Sequence, residues 1–112
     1  HFWIATQPDW VAEFALAGAL TSVNALGNWW ASIPEERWPD DERARDYMNT
    51  HWKEPWGDRR QEIVFIGNGI NWPDLKGSLD ACLLPETIAS NIATLPNMSD
   101  PFPQWRRPEA AE

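Results

Sequence analysis

Two side chains in this sequence are of types that bind a soft metal: the imidazole of His51 and the thiol of Cys82. Neutral imidazole and thiolate are both zinc ligands, but the two stand far apart in the chain and no third ligand accompanies them. The plainer assignment is structural. Cys82 shares an apolar helix face with Leu79 and Leu83, where a free thiol behaves as a small hydrophobe, and His51 falls near a helix end, where positive charge suits the dipole. Asp58-Arg59-Arg60 places two guanidinium forks in one polar loop, and such forks grip a phosphate or a partner's carboxylate. Their plainer role is an ion pair with Asp58 or Glu62 that fixes the loop. Gly67-Asn68-Gly69 stands between a strand and a helix, where a dinucleotide fingerprint would sit, but the third glycine is replaced by Trp72, so a turn is expected. With two histidines, one of them His1, no Ser-His-acid arrangement can be built. The 17 Asp and Glu residues guarantee some close carboxylate pairs, yet nothing selects one. No residue is therefore assigned a catalytic, cofactor-binding or metal-binding role. Arg59, Arg60 and Trp30 are the candidate partner contacts.

The elements that must position these residues follow from periodicity and punctuation. Phe2-Trp3-Ile4-Ala5-Thr6 reads as a strand already in progress at His1, as though the start of the domain were cut away. After the Gln7-Pro8-Asp9 turn signal, Trp10, Ala12, Phe14 and Leu16 alternate with Val11, Glu13 and Ala15, and a further strand follows Gly18 up to Leu26. Ser32 and Glu35 have capping-box spacing around Pro34, which predicts one short helical turn. Asp40, Asp41 and Glu42 favour a helix start, and Ala44, Tyr47, Met48 and Trp52 recur on one face before Pro55. Glu62 to Gly67 is the strongest strand signal in the chain and predicts a central strand. Asn71 and Pro73 open a helix whose Leu75, Leu79, Cys82 and Leu83 should pack on the sheet. Glu86 to Leu95 predicts another short helix, and Pro96 to Glu112, with four prolines, an irregular surface tail. The expected fold class is α+β: a mostly antiparallel sheet of about four strands with helices packed on one face.

At 112 residues the chain is a single domain. Nine tryptophans against four Phe and one Tyr make indole the main core former. A net charge of −8 repels phosphate backbones and anionic membrane surfaces, so neither nucleic acid nor membrane is an expected partner. One cysteine, no leader and no long apolar run fit a cytoplasmic setting. Asn97-Met98-Ser99 matches a glycosylation acceptor, which matters only in a secreted chain.

The segments Gly57-Asp58-Arg59-Arg60-Gln61-Glu62-Ile63-Val64-Phe65-Ile66-Gly67, Leu79-Asp80-Ala81-Cys82-Leu83-Leu84 and Asp100-Pro101-Phe102-Pro103-Gln104-Trp105, in this order and spacing, resemble the C-terminal domain of CobW-type GTPases. Phe2-Trp3-Ile4-Ala5-Thr6 and Trp29-Trp30-Ala31 resemble the same domain, which would then occupy residues 1–106 with 107–112 as a tail. The resemblance implies a parent protein whose GTPase domain binds GTP and handles zinc or cobalt. The C-terminal domain would serve regulation, dimerisation or docking of a client metalloprotein. Neither a Gly-x-x-x-x-Gly-Lys-Ser/Thr loop nor a Cys-x-Cys-Cys motif occurs in these 112 residues, so GTP and metal are implied for the parent alone. The expected partners are the parent GTPase domain, a client metalloprotein and a second copy. The competing expectation is a Trp-rich carbohydrate-binding module, in which exposed indoles such as Trp10 or Trp30 stack on sugar rings.

Overall fold

The computed structural model describes residues 1–106. Three strands, β1 (Phe2–Ile4), β2 (Gln7–Ala17) and β3 (Leu20–Asn28), form an antiparallel meander in the order β1-β2-β3. The β2–β3 hairpin closes through Gly18 and Ala19, with Ala17 opposite Leu20. Gly18 has φ of 63°, the left-handed conformation that a two-residue hairpin loop requires and that a Cβ disfavours. A register shift between Val11, opposite Gly27, and Ala12, opposite Ala25, leaves Leu26 as an extra residue and bulges β3 there. The buried apolar side chains are Ile4, Ala12, Trp29, Met48 and Leu95, one from each of five segments.

Beyond the sheet, two 3₁₀ turns, Trp30–Ser32 and Glu35–Arg37, lead to α1 (Glu42–His51). The Asp41 carboxylate accepts from the Arg43 N–H at 3.0 Å and starts α1 where the acidic cluster predicts. Helix α2 (Trp72–Asp80) starts on the expected cap, Asn71 accepting from the Asp74 N–H at 3.2 Å. A short α3 (Glu86–Ala89) and a 3₁₀ segment, Ile92–Asn97, follow. The latter returns to β2 and buries Leu95.

Five expectations are corrected. The sheet among the described residues has three strands, not four. Glu62–Ile66 is extended and runs beside β1 but makes one backbone rung, with His1, so it does not count as a strand. Helix α2 buries none of its residues, and Leu79, Cys82 and Leu83 are all exposed. Cys82 is thus not a core side chain; it follows the end of α2, and its Sγ lies 3.4 Å from the Ser78 carbonyl of that helix. Ser32 does not form a capping box: its hydroxyl donates to the carbonyls of Trp29 (2.8 Å) and Asp9 (3.2 Å), tying the first 3₁₀ turn to the start of β2. Tyr47, expected on the packed face of α1, is half exposed, and only Met48 of that helix is buried.

The segment from Asp100 to Trp105 is irregular, as expected, yet it is held. Buried Gln7 donates to Asp100 Oδ2 (3.0 Å) and the Pro103 carbonyl (2.9 Å), and its Oε1 accepts from the Trp105 N–H (2.9 Å). One amide thus docks a segment more than ninety positions away. Residues 107–112, the expected tail, lie outside the described residues.

Replacing Gln7→Ala leaves the Trp105 N–H and the Pro103 carbonyl without their partner, a loss of about 1–3 kcal/mol by the usual cost of unpaired groups. Limited proteolysis between Pro96 and Trp105 is expected to speed up while α1 stays intact. The Phe102 N–H above all, with the Gln7 and Gln104 side chains also donating, holds the Asp100 carboxyl below the usual carboxylate range. A depressed folded pKa contributes stability that is present above the unfolded value, about 3.9, and is lost as pH falls through the folded one. The urea midpoint should therefore fall more steeply on acidification below about pH 4 for the native chain than for Asp100→Asn.

Candidate functional site

The loop Trp56 to Glu62 is set from inside. Gly57 has φ of 69°, and a Cβ there would collide with that of Ala31 and sit 3.1 Å from the Trp52 ring. Beside it Asp58 is 3% exposed, and its two carboxylate oxygens accept from the backbone N–H groups of Trp30 (2.9 Å) and Ala31 (2.8 Å). A buried carboxylate is tolerable only with such donors. Here the donors are the free N–H groups at the start of a 3₁₀ turn.

The two arginines that follow do different things. Arg59 turns inward, its side chain 7% exposed. Its Nε donates to the Pro8 carbonyl (2.6 Å), its Nη1 to the Trp56 carbonyl (3.0 Å), and its Nη2 lies 3.5 Å from Asp9 Oδ1. Burial lowers its pKa, against the opposing pull of Asp9 and Asp58. It braces the loop to the start of β2. Arg60 lies nearer the surface, its side chain 20% exposed: Nε donates to Glu62 Oε2 (3.0 Å), Nη1 to the Asp58 carbonyl (3.3 Å) and Nη2 to the Tyr47 hydroxyl. Its guanidinium carbon is 5.8 Å from the Trp29 ring centre and 5.5 Å from that of Tyr47, within cation–π range. Burial pulls the Arg60 pKa down, and the bonds to Glu62 and Tyr47 more than reverse it. In return, the hydrogen bond from Arg60 holds the Glu62 carboxyl low.

These groups rim a shallow hollow of about 220 Å³ whose walls include Leu26, Trp30, Tyr47, Asp58 and Arg60. Tyr47 is 50% exposed and Leu26 is exposed, whereas Trp30 is half-buried, its carbonyl accepting from Trp38 Nε1 at 3.1 Å. Arg60 and Trp30 therefore share one surface, with Tyr47 added. Tyr47 was not legible as part of this surface because its spacing on α1 is that of a packed face. Its one sequence clue is His51 a turn later, whose ring tilts against it at 4.5 Å.

The remaining candidates do not gather. Among the described residues no three His, Cys, Asp or Glu side chains are placed to share a metal ion. Gly67-Asn68-Gly69 forms a bend, Gly69 with φ of 70°. Trp72, at 50%, is the one exposed tryptophan of the nine. Four of the others aim their indole N–H at protein acceptors: Trp29 at the Trp10 carbonyl (2.8 Å), Trp38 at Ile33 (2.9 Å), Trp52 at Glu54 (2.9 Å) and Trp56 at Ala89 (3.0 Å). Trp10 and Trp30 are partly buried, which gives no open row of indole faces for a sugar chain.

A family model, the cobalamin synthesis protein cobW C-terminal domain, matches residues 1–83. The chain belongs to that family. The matched span takes in the sheet, α1, the Asp58 loop and α2, and ends before the Asp100–Trp105 segment docked on Gln7. The chain is also 35% identical over 85 residues to the zinc-regulated GTPase metalloprotein activator 1 of Dictyostelium discoideum. That alignment covers 75% of this chain and 18% of the relative. No solved structure matches.

Within this cobW C-terminal domain the two sides of the loop should separate under mutation. Asp58→Ala leaves the Trp30 and Ala31 N–H groups unpaired and should cost about 1–3 kcal/mol of stability. Arg60→Ala, at the surface, should cost under about 1 kcal/mol. Urea unfolding followed by tryptophan fluorescence compares them, and equal losses would contradict the division.

Proposed function

We propose that the domain is a non-catalytic docking module of a GTP-dependent, cytoplasmic metal chaperone, and that it meets its partners through the Trp30, Tyr47 and Arg60 surface. The family supports the setting: the relative's name describes a zinc-regulated GTPase that activates metalloproteins. GTP and zinc or cobalt belong, on this reading, to the GTPase domain of the whole protein. That domain, a client metalloprotein and a second copy are the partners the surface would serve.

The observation that carries the docking role is the preset geometry of Arg60. Its guanidinium is fixed by Glu62, the Asp58 carbonyl and Tyr47 before any partner arrives, so little side-chain entropy remains to be lost on binding. Trp, Tyr and Arg are also the residue types that dominate protein–protein hot spots. A hollow this shallow, with no nucleophile and base facing each other across it, is better shaped for a protruding side chain of another protein than for a reacting substrate.

In the full-length GTPase, the double variant Tyr47→Ala/Arg60→Ala should weaken self-association or client binding about tenfold, or alter client-stimulated GTP turnover by a similar factor. Sedimentation, calorimetry and phosphate release measure the three. If all stay unchanged in a variant whose circular dichroism is native, the surface is not a docking site.

A further inference from the structure

The outer edge of β3 lacks the features that keep sheet edges from pairing. Exposed edges are ordinarily blunted by a lysine, a proline, a bulge or shortness, yet from Leu20 to Asn28 the strand holds no charged residue and no proline. Its one irregularity, the bulge at Leu26, comes at the base. Among the described residues nothing pairs with β3 on the side away from β2.

The hairpin decides which groups this edge presents. Ala17 and Leu20 close the two-residue turn as a hydrogen-bonded pair. Alternation along the ladder then bonds Ser22 and Asn24 inward to β2 and leaves the N–H and C=O groups of Thr21, Val23 and Ala25 pointing outward. The β1 side agrees, since Ala12, opposite Ala25, is the residue of β2 that pairs with Phe2.

Three outward residues spaced by two make a self-complementary edge. Two antiparallel copies of β3 related by a two-fold axis at Val23 set Val23 opposite the partner's Val23 and Thr21 opposite the partner's Ala25, each pair able to exchange both backbone bonds. Side chains directly opposite share a face. Phe14 is opposite Val23 within the chain, so one face carries an unbroken apolar row of Phe14, Val23, the partner's Val23 and the partner's Phe14. The other face sets the Ser22 hydroxyl against the partner's Asn24 amide.

We infer that β3 pairs in this way with β3 of a second copy, joining two three-stranded sheets into one of six strands. Shape supports that occupant. Continued past the bulge, the register brings the partner's Leu20 opposite Leu26. Leu20 is 79% exposed at the hairpin's tip, and Leu26 borders a hollow of about 550 Å³ at the base of the same strand, whose walls include Trp10, Asn28 and Trp105. Each copy thus seats the other's tip. A client's strand would meet the same outward groups but has no two-fold register to satisfy. Charge supports it too. The chain carries −8, so two copies repel across most of their surfaces, but the hairpin strands hold acids only at Asp9, at the base, and Glu13. Across the axis the two Glu13 side chains are three strand spacings apart, roughly 14 Å, beyond a screening length of about 8 Å. The pairing does not rest on the docking role of Arg60, although Leu26 borders both hollows.

So short a ladder is a small interface, and sedimentation velocity of the full-length protein should show a dimer forming only in the micromolar range or above. Val23→Lys and Val23→Glu each place like charges opposite one another at the axis, and each should weaken self-association about tenfold or more, while an equal mixture of the two regains it. Thr21→Pro removes an outward N–H that β2 does not use and should weaken association by a similar factor with native circular dichroism. That variant carries the test where a charge at half-buried Val23 prevents folding. Association unchanged in the Val23 and Thr21 variants overturns the inference. So does loss in Tyr47→Ala/Arg60→Ala alone, which assigns the second copy to the other surface. A native protein that stays monomeric overturns it as well, whether or not a client's peptide then slows exchange of the Thr21, Val23 and Ala25 amides.

Discussion

The loop around the Asp58 carboxylate holds together three stretches of chain. Its oxygens take the N–H groups of Trp30 and Ala31. Its neighbours Gly57 and Arg59 press against Ala31 and reach back to Pro8 and Asp9. The start of β2, the turn after β3 and the loop beyond α1 are thereby joined at one buried point. Burial makes this arrangement strict: a carboxylate without donors would be costly, so the loop can close only when the 3₁₀ turn offers its two free N–H groups. The position of Arg60 is a consequence, since it follows Asp58 and Arg59 by two residues and one, and its own donors meet groups already placed.

Tryptophan explains how so small a domain packs with little secondary structure. A large indole covers apolar area that a sheet of three strands leaves open, and its N–H needs an acceptor when buried. The carbonyls of Trp10 in β2, of Trp30 and Ile33 at the first 3₁₀ turn and of Ala89 at the end of α3 supply it. Each such bond satisfies two groups and ties a loop to a ring. Apart from Trp72 the tryptophans are accordingly buried or partly covered, which is why a chain with nine of them offers one exposed indole and no open row of rings for stacking.

What could be read from the sequence was what short-range rules decide. The Asp41 and Asn71 caps, the hairpin at Gly18 and the turn at Gly69 depend on residues within four positions of each other. The rest depended on distant partners. Cys82 and Leu79 lie on an apolar stripe, but a stripe is buried only where another surface covers it, and none does so among the described residues. Gln7 looks like a turn residue, and only the fold brings Asp100 and Trp105 to it. Arg59 and Arg60 are indistinguishable as letters. The backbone turn at Gly57 sends one inward to Pro8 and the other outward to Tyr47. The expectation of a central strand at Glu62–Gly67 rested on propensity alone, yet a strand also requires a neighbouring backbone, and among the described residues this segment makes one rung, with His1.

That half-paired segment and the docking surface are continuous. Arg60 and Glu62 are bonded to each other, and Glu62 carries the one rung to His1 while Gln61 exchanges side-chain bonds with the backbone of Trp3 (3.3 and 3.0 Å). The guanidinium is thus anchored on one side to the buried Asp58 loop and on the other to the margin of the sheet. A change in how Glu62–Ile66 is paired would shift Glu62, and with it the carboxylate that orients Arg60 toward Tyr47. The Asp58 side is fixed by burial, so the freedom in the pair lies on the Glu62 side, and the Arg60–Glu62 ion pair is one link between the edge of the sheet and the surface rimmed by Trp30, Tyr47 and Arg60.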